Sequence, residues 1–191
     1  VRILVEGKLP LPLGELLGGE GSNGMEALRA FLEERVRYYF KDIRGFAYDE
    51  VNATMAIGWS NLVDLEARLE RIRALRASPD FEPLAASCKR IRNILEQASF
   101  TQATGAGAAI IDAALLEAGP ERELYDEFHA IQGQPIENAI ARLRPRVDLF
   151  FDKVLVNAPD QAVRQNRLTF LGTLLAEFST IADFSEIVTN A

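Results

Sequence analysis

The residues in this chain best suited to binding chemistry are cations standing beside carboxamides. Lys89, Arg90, Arg92 and Asn93 lie within five consecutive positions. With Leu84, Cys88, Ile91 and Leu95 on the buried stripe of a helix, Lys89 and Asn93 project from the far side one turn apart, and Arg90 and Arg92 flank them. An ammonium next to a group that both donates and accepts suits a phosphate contact beside a base edge. A solvated helix face, with Asn93 capping a neighbour, accounts for the same residues. A second group gathers around the loop Val156 to Asp160: Lys153, Arg164, Asn166 and Arg167. Arg164 precedes Leu168 by four positions, on the predicted apolar stripe, and so requires an anchoring carboxylate or a ligand anion. Arg142, Arg144 and Arg146 surround Pro145, with Asp148 and Asp152 available as ion-pair partners at helical spacing.

Catalytic constellations are absent from the sequence. There is no glycine-rich phosphate loop ending in Lys-Ser/Thr and no HExxH. The GxG of Gly105 and Gly107 follows no strand and has no third glycine at the right spacing, so it reads as a loop. Cys88, the only cysteine, shares the stripe of Leu84, Ile91 and Leu95 and is predicted to pack in the core rather than act as a thiolate. It excludes an internal disulfide framework and a cysteine-based zinc site, and it fits a reducing, cytoplasmic compartment. His129, the only histidine, lies near a helix end where an imidazolium would meet the negative pole of the dipole. Glu117, Glu121, Glu123, Asp126 and Glu127 have no histidine at ligand spacing and read as a solvated acidic face. Neither a catalytic residue nor a metal site is predicted.

The scaffold that must position these groups reads as helical. The 191 residues are 48% hydrophobic and 26% charged, an ordinary globular balance. Twenty-six alanines and 24 leucines outnumber 30 valines, isoleucines and threonines. A net charge of −7 and a pI near 4.9 argue against coating nucleic acid by bulk charge. That acidity is polarised, however: residues 105–131 carry −5 and residues 84–104 carry +2. Charges interrupt every long apolar run, so no membrane-spanning segment is expected. The start at Val1, without an initiator methionine, reads as that of an excised piece.

Residues 1–24, with Pro10, Pro12 and several glycines, read as an irregular connector, the tail of a preceding domain. Met25, Leu28, Leu32, Val36, Tyr39 and Ile43 predict one long helix stopped by Gly45. Asp49 is the expected N-cap of a helix reaching Ile57, and Leu62 to Ala77 forms the next, with Glu66 and Glu70 pairing outside with Arg73 and other arginines. Ser78-Pro79-Asp80 opens a helix toward Ala98, and a loop fills 99–107. Helices are predicted over Ala108 to Glu117, Glu121 to Ile131 and Ile136 to Leu143. Pro145 should then break or kink the chain before a helix carrying Val147, Phe150, Phe151, Val154 and Leu155. Pro159-Asp160 starts the last helix, which turns Leu168, Leu171, Leu175, Phe178 and Ala182 inward. The class is all-α, an antiparallel bundle over 25–191.

Several segments resemble a known family. Leu143-Arg144-Pro145-Arg146-Val147-Asp148-Leu149-Phe150-Phe151-Asp152-Lys153-Val154-Leu155-Val156 is one of them, and Asp160, Arg164, Asn166-Arg167-Leu168 and Ile181-Ala182-Asp183-Phe184-Ser185 follow it. Together they are similar to the C-terminal end of the β subunit of bacterial tetrameric glycyl-tRNA synthetase. Lys89-Arg90-Ile91-Arg92-Asn93-Ile94-Leu95 and the helix of Phe31 to Tyr48 extend the likeness to about residues 25–187.

The resemblance implies a DALR-type anticodon-binding bundle, like that of arginyl-tRNA synthetase. It implies glycine tRNA as partner, together with an α subunit that holds the ATP- and Mg-dependent class II active site in an α2β2 tetramer. DNA and membranes are not expected partners, and no cofactor is expected in this chain. Lys89, Arg90, Asn93, Lys153, Arg164 and Arg167 are the expected RNA-binding residues, matching the motif segments and able to reach solvent. Tyr38, Tyr39 and Tyr48 could stack bases or belong to the core. The sequence departs from the family pattern at Ser99 to Ala109 and at Asn157-Ala158-Pro159. A protein-interaction module docking through the acidic segment 105–131 onto the α subunit or the rest of β is the alternative.

Overall fold

The structure, a computed structural model, describes residues 1–13, 23–100 and 110–189. Among the described residues, helices account for the regular structure, and the only β pairing is an isolated bridge between Pro12 and Asn61. The all-α expectation holds. The chain divides into two compact units, residues 1–77 with 180–188, and residues 78–179 with 189–191.

The first unit contains α1 (Arg2–Glu6), α2 (Asn23–Tyr38), α3 (Tyr48–Ala56) and α4 (Leu62–Leu75). Residues 1–13, read as connector, help to build it: Val5 is buried in its core, and Leu13 donates its N–H to Ser60 at 2.7 Å. The predicted stripe of the long helix is only partly realised. After Tyr38 the helix widens into a π turn over Tyr39–Ile43, in which Arg44 N–H bonds five residues back to the Tyr39 carbonyl at 3.0 Å. Phe40, four residues after the buried Val36, is fully buried on ordinary helical spacing, and the extra residue of the following turn carries Ile43 outward. Gly45, at φ +69°, then lets the chain turn away.

Asp49 lies in the first turn of α3 rather than at its cap. Ala47 occupies the N-cap position, and its N–H is accepted by the Glu50 carboxylate at 2.9 Å. Asn61 caps α4, accepting from Val63 and Asp64 N–H. Leu62, Leu65, Leu69, Ile72 and Leu75 are all buried, as their spacing predicts. Glu66 pairs with Arg44 instead of Arg73, whose guanidinium sits 3.7 Å over the Phe46 ring.

The second unit contains α5 (Phe81–Gln97), α6 (Pro120–Ile131), α7 (Ile136–Lys153) and α8 (Gln161–Phe178). Two expectations fail here. The helix predicted over Ala108 to Glu117 is, among the described residues, a single 3-10 turn at Ala113–Leu115, started by the Asp112 side chain on Ala114 N–H. Residues 101–109, including Gly105 and Gly107, lie outside the described residues.

Of the break or kink expected at Pro145, the break does not occur: α7 runs through it as one helix. Pro145 is exposed, so the carbonyl its ring displaces can turn to water. Leu143, Val147 and Phe150 meanwhile hold both halves of the helix in the core. Around α8 burial is continuous from Asn166 to Gly172, the mark of a central helix rather than the one-sided stripe predicted. Phe170 is its hub, with edge-to-face contacts to Tyr125, Phe128 and Phe150 at centroid distances of 5.8, 6.1 and 6.4 Å.

Candidate nucleic-acid interface

The second unit separates its cations into two populations. One is fully engaged by acids. Arg142 meets Glu127 at 2.5 Å, Arg144 meets Asp148 at 3.0 Å, and Arg146 meets Glu123. Glu123 and Glu127 of the acidic run thus meet the basic stretch of α7, while Glu117, Glu123 and Asp126 stay solvated as expected. Only Asp148 among the partners expected for that stretch takes up its role.

Arg167 is the deepest of these cations. It was expected to reach solvent, yet its side chain is 2% exposed and that of Glu121 1%. Its guanidinium donates from Nε and Nη2 to the two Glu121 carboxylate oxygens at 3.0 and 2.8 Å, and from Nη1 to the Leu155 carbonyl at 2.8 Å. Glu117 adds a second carboxylate at 3.0 Å. The hydrogen bond from Glu121 raises the Arg167 pKa against the opposing effect of burial. Asn166, its neighbour, accepts from Asp112 N–H at 2.8 Å and donates to the Asp112 carbonyl at 3.0 Å. These two residues fasten the segment before α6 onto α8, a structural task that occupies all their polar atoms facing it.

The signal for that pair was in the sequence. Glu121 begins the stripe Leu124, Phe128, Ile131, and an acid on an apolar stripe needs a buried cation. The anchor required for Arg164 belongs instead to Arg167, one turn further in.

The other population is exposed. Lys89, Arg90 and Asn93 face out from α5, Lys153 from the end of α7, and Arg164 from the start of α8. Lys89, Lys153 and Arg164 form no ion pair with a described residue. Arg90 lies 4.2 Å over the ring of Phe151, which holds its guanidinium flat against the surface. Cys88 is buried on the opposite side of α5, as predicted. His129 is exposed in the last turn of α6, its ring against Tyr125 at 4.4 Å. Of the three tyrosines considered for stacking, Tyr39 belongs to the core, whereas Tyr38 and Tyr48 are exposed at 52% and 64%.

Arg164 opens onto a feature that the sequence reading missed. Ala98, Ser99 and Phe100 at the end of α5 and Gln161, Arg164, Gln165 and Leu168 on α8 line an open cleft of about 340 Å³. The end of α5 explains its shape. Ser99 N–H bonds to the Glu96 carbonyl and Phe100 N–H to that of Leu95, both at 2.9 Å, the paired closure of a Schellman motif. Ser99 takes the left-handed conformation, φ +50°, that glycine usually supplies there. That turn delivers Phe100 to the cleft wall. The i, i+3, i+4, i+7 spacing of Gln161, Arg164, Gln165 and Leu168 was the available clue: a polar helix face ending on an apolar floor.

Among the described residues, no group of three or more histidine, cysteine or acidic side chains is placed to hold a metal ion, and no helix is long and apolar enough to cross a membrane.

No protein-family model matches the chain. Individual relatives do. It is 40% identical over 211 residues to the glycine–tRNA ligase beta subunit of Acidobacterium capsulatum, an alignment that covers 100% of this chain and 30% of that protein. To the subunits of the same name from Leptothrix cholodnii and Methylobacillus flagellatus it is 37% and 33% identical, each over 98% of this chain and 28% of theirs. The chain thus spans under a third of the length of the curated relatives it matches. Likeness that runs the whole length of these helices, through α5 and α8 alike, makes the chain a member of the glycine–tRNA ligase β-subunit family, the counterpart of one segment of those subunits.

Proposed function

We propose that the chain serves glycyl-tRNA synthesis as an RNA-recognition part of a glycine–tRNA ligase β subunit, gripping the anticodon loop of glycine tRNA while an α subunit performs the ATP-dependent chemistry. One observation carries the reading. In an acidic chain whose α7 arginines and Arg167 are committed to carboxylates, Lys89, Lys153 and Arg164 are exposed without an acid partner among the described residues. Unpaired surface cations spared in this way are what phosphate contacts require, and their neighbours Asn93, Gln161 and Gln165 offer both donors and acceptors to unstacked bases. The name its relatives carry supports glycine tRNA as that RNA.

The alternative, docking through the acidic segment, has less to work with. Glu121, Glu123 and Glu127 are already held by Arg167, Arg146 and Arg142. The deciding experiment is an anisotropy titration of the chain against glycine tRNA and against the same tRNA with its anticodon exchanged. Tighter binding of the former is expected. Equal affinity for both would end the recognition claim.

A further inference from the structure

The cleft between the end of α5 and the start of α8 has the parts to hold one particular group. Gln161, Arg164 and Gln165 are all exposed along it, and their side chains make no hydrogen bond to a described residue. Three polar side chains with unspent hydrogen-bonding capacity therefore converge on a recess floored by Leu168 and walled by the half-buried Phe100. Its volume of about 340 Å³ falls at the lower end of the range of small-ligand pockets, about 300–1,000 Å³. That is room for one nucleotide rather than a helix or a peptide strand.

The positive charge here comes from a side chain and not from the helix end. At the N-terminus of α8 the Asp160 carboxylate already accepts the N–H groups of Ala162 and Val163, at 2.8 and 3.0 Å. Arg164, one turn on, is the cation left to meet an anion.

We propose that this cleft takes a single nucleotide extruded from the RNA loop. In this arrangement Arg164 binds its phosphate, Phe100 stacks on its base, and the Gln161 and Gln165 carboxamides read the base edge. A guanidinium fork fits phosphate oxygens, an aromatic ring accepts any base face, and a carboxamide donates and accepts along a Watson–Crick edge. The cleft brings together side chains from the end of α5 and the start of α8, whereas Lys89 and Asn93 lie outside its lining. The proposal deepens the anticodon-loop reading and rests on it.

The test uses the chain with a set of glycine tRNAs, each carrying one abasic nucleotide at a different position of the anticodon loop. For the unaltered protein, one position should cost tenfold or more in affinity, the scale of a lost base stack. In Phe100→Ala the intact tRNA should bind about tenfold more weakly and that same abasic position should then cost only a few-fold, while in the double variant Gln161→Ala/Gln165→Ala the intact tRNA should bind severalfold more weakly and the abasic cost should fall by that same factor. Lys89→Ala should weaken every RNA of the set evenly and leave the profile unchanged. Should either cleft variant fail to fold, as judged by its helical circular dichroism, Arg164→Lys replaces it. It keeps the charge, loses the fork, and should weaken binding severalfold without altering the salt dependence. If the chain discriminates anticodons but every cleft variant keeps the original abasic profile, the cleft is not the nucleotide site and the broader reading stands. If the unaltered chain shows no anticodon-dependent binding, both fall together.

Discussion

At the scale of single residues, the telling contrast is between Arg164 and Arg167, three positions apart on one helix. Arg164 is exposed beside a cleft, and Arg167 is sealed against Glu121 with its remaining donor on the Leu155 carbonyl. Removing one partner of a sealed pair leaves the other charge without water or counterion. Arg167→Met should therefore cost about 3–5 kcal/mol of stability, read from urea unfolding followed by circular dichroism. Adding Glu121→Leu should restore part of it, because replacing both partners with apolar groups removes the stranded charge.

Asp49 offers a second prediction at this scale. Burial by itself would push its carboxyl up, but the Arg76 guanidinium and the N–H groups of Val188 and Glu50 hold it below the ordinary 3.8. A carboxyl with a depressed folded-state pKa contributes stability that is complete above its unfolded value and disappears as pH falls through the folded one. Asp49→Asn should flatten the acid side of the stability profile below about pH 4, measured as Tm against pH. An unchanged acid limb would show that Asp49 does not govern it.

At the scale of elements, local propensity and tertiary packing disagree in informative places. The spacing of α4 was legible in the sequence because its five inward residues repeat cleanly and Asn61 caps it. The end of α2 was not, since one extra residue in a π turn carries Ile43 out of the stripe, and periodicity assumes a constant turn. In α7 a proline that should interrupt the helix is overridden by core contacts on both sides. That override leaves a residual cost, because the ring still removes one backbone donor on the exposed face. Pro145→Ala should stabilise the chain by about 1–3 kcal/mol, seen as a higher urea midpoint at unchanged slope. A neutral or harmful effect would mean that α7 is built around the distortion.

Across the whole molecule, charge is distributed rather than simply negative. In the second unit, Glu127 and Glu123 of α6 pair with Arg142 and Arg146 of α7, and the exposed cations Lys89, Lys153 and Arg164 lie on α5, the end of α7 and the start of α8. If two or three of them meet phosphates of a single-stranded loop, the logarithm of the tRNA binding constant should fall with that of salt concentration at a slope of about −1.4 to −2.1. Lys89→Ala should reduce the slope by about 0.7, measured by titration at several salt concentrations. A slope near zero would leave those cations without a role in binding.

Spacing and residue order along the chain were enough for the helical class, the inward residues of α4, the core place of Cys88 and the kinship with β subunits. Each depends on spacing along one segment or on the order of residues. Packing between helices was needed to show that Lys89, Lys153 and Arg164 have no acid partner among the described residues, that Val5 enters a core, that Glu121 meets Arg167 across 46 positions, and that Phe100 and Arg164 share a cleft. Such partnerships join helices distant in sequence, and a helical repeat specifies which face a residue occupies without specifying what that face will meet.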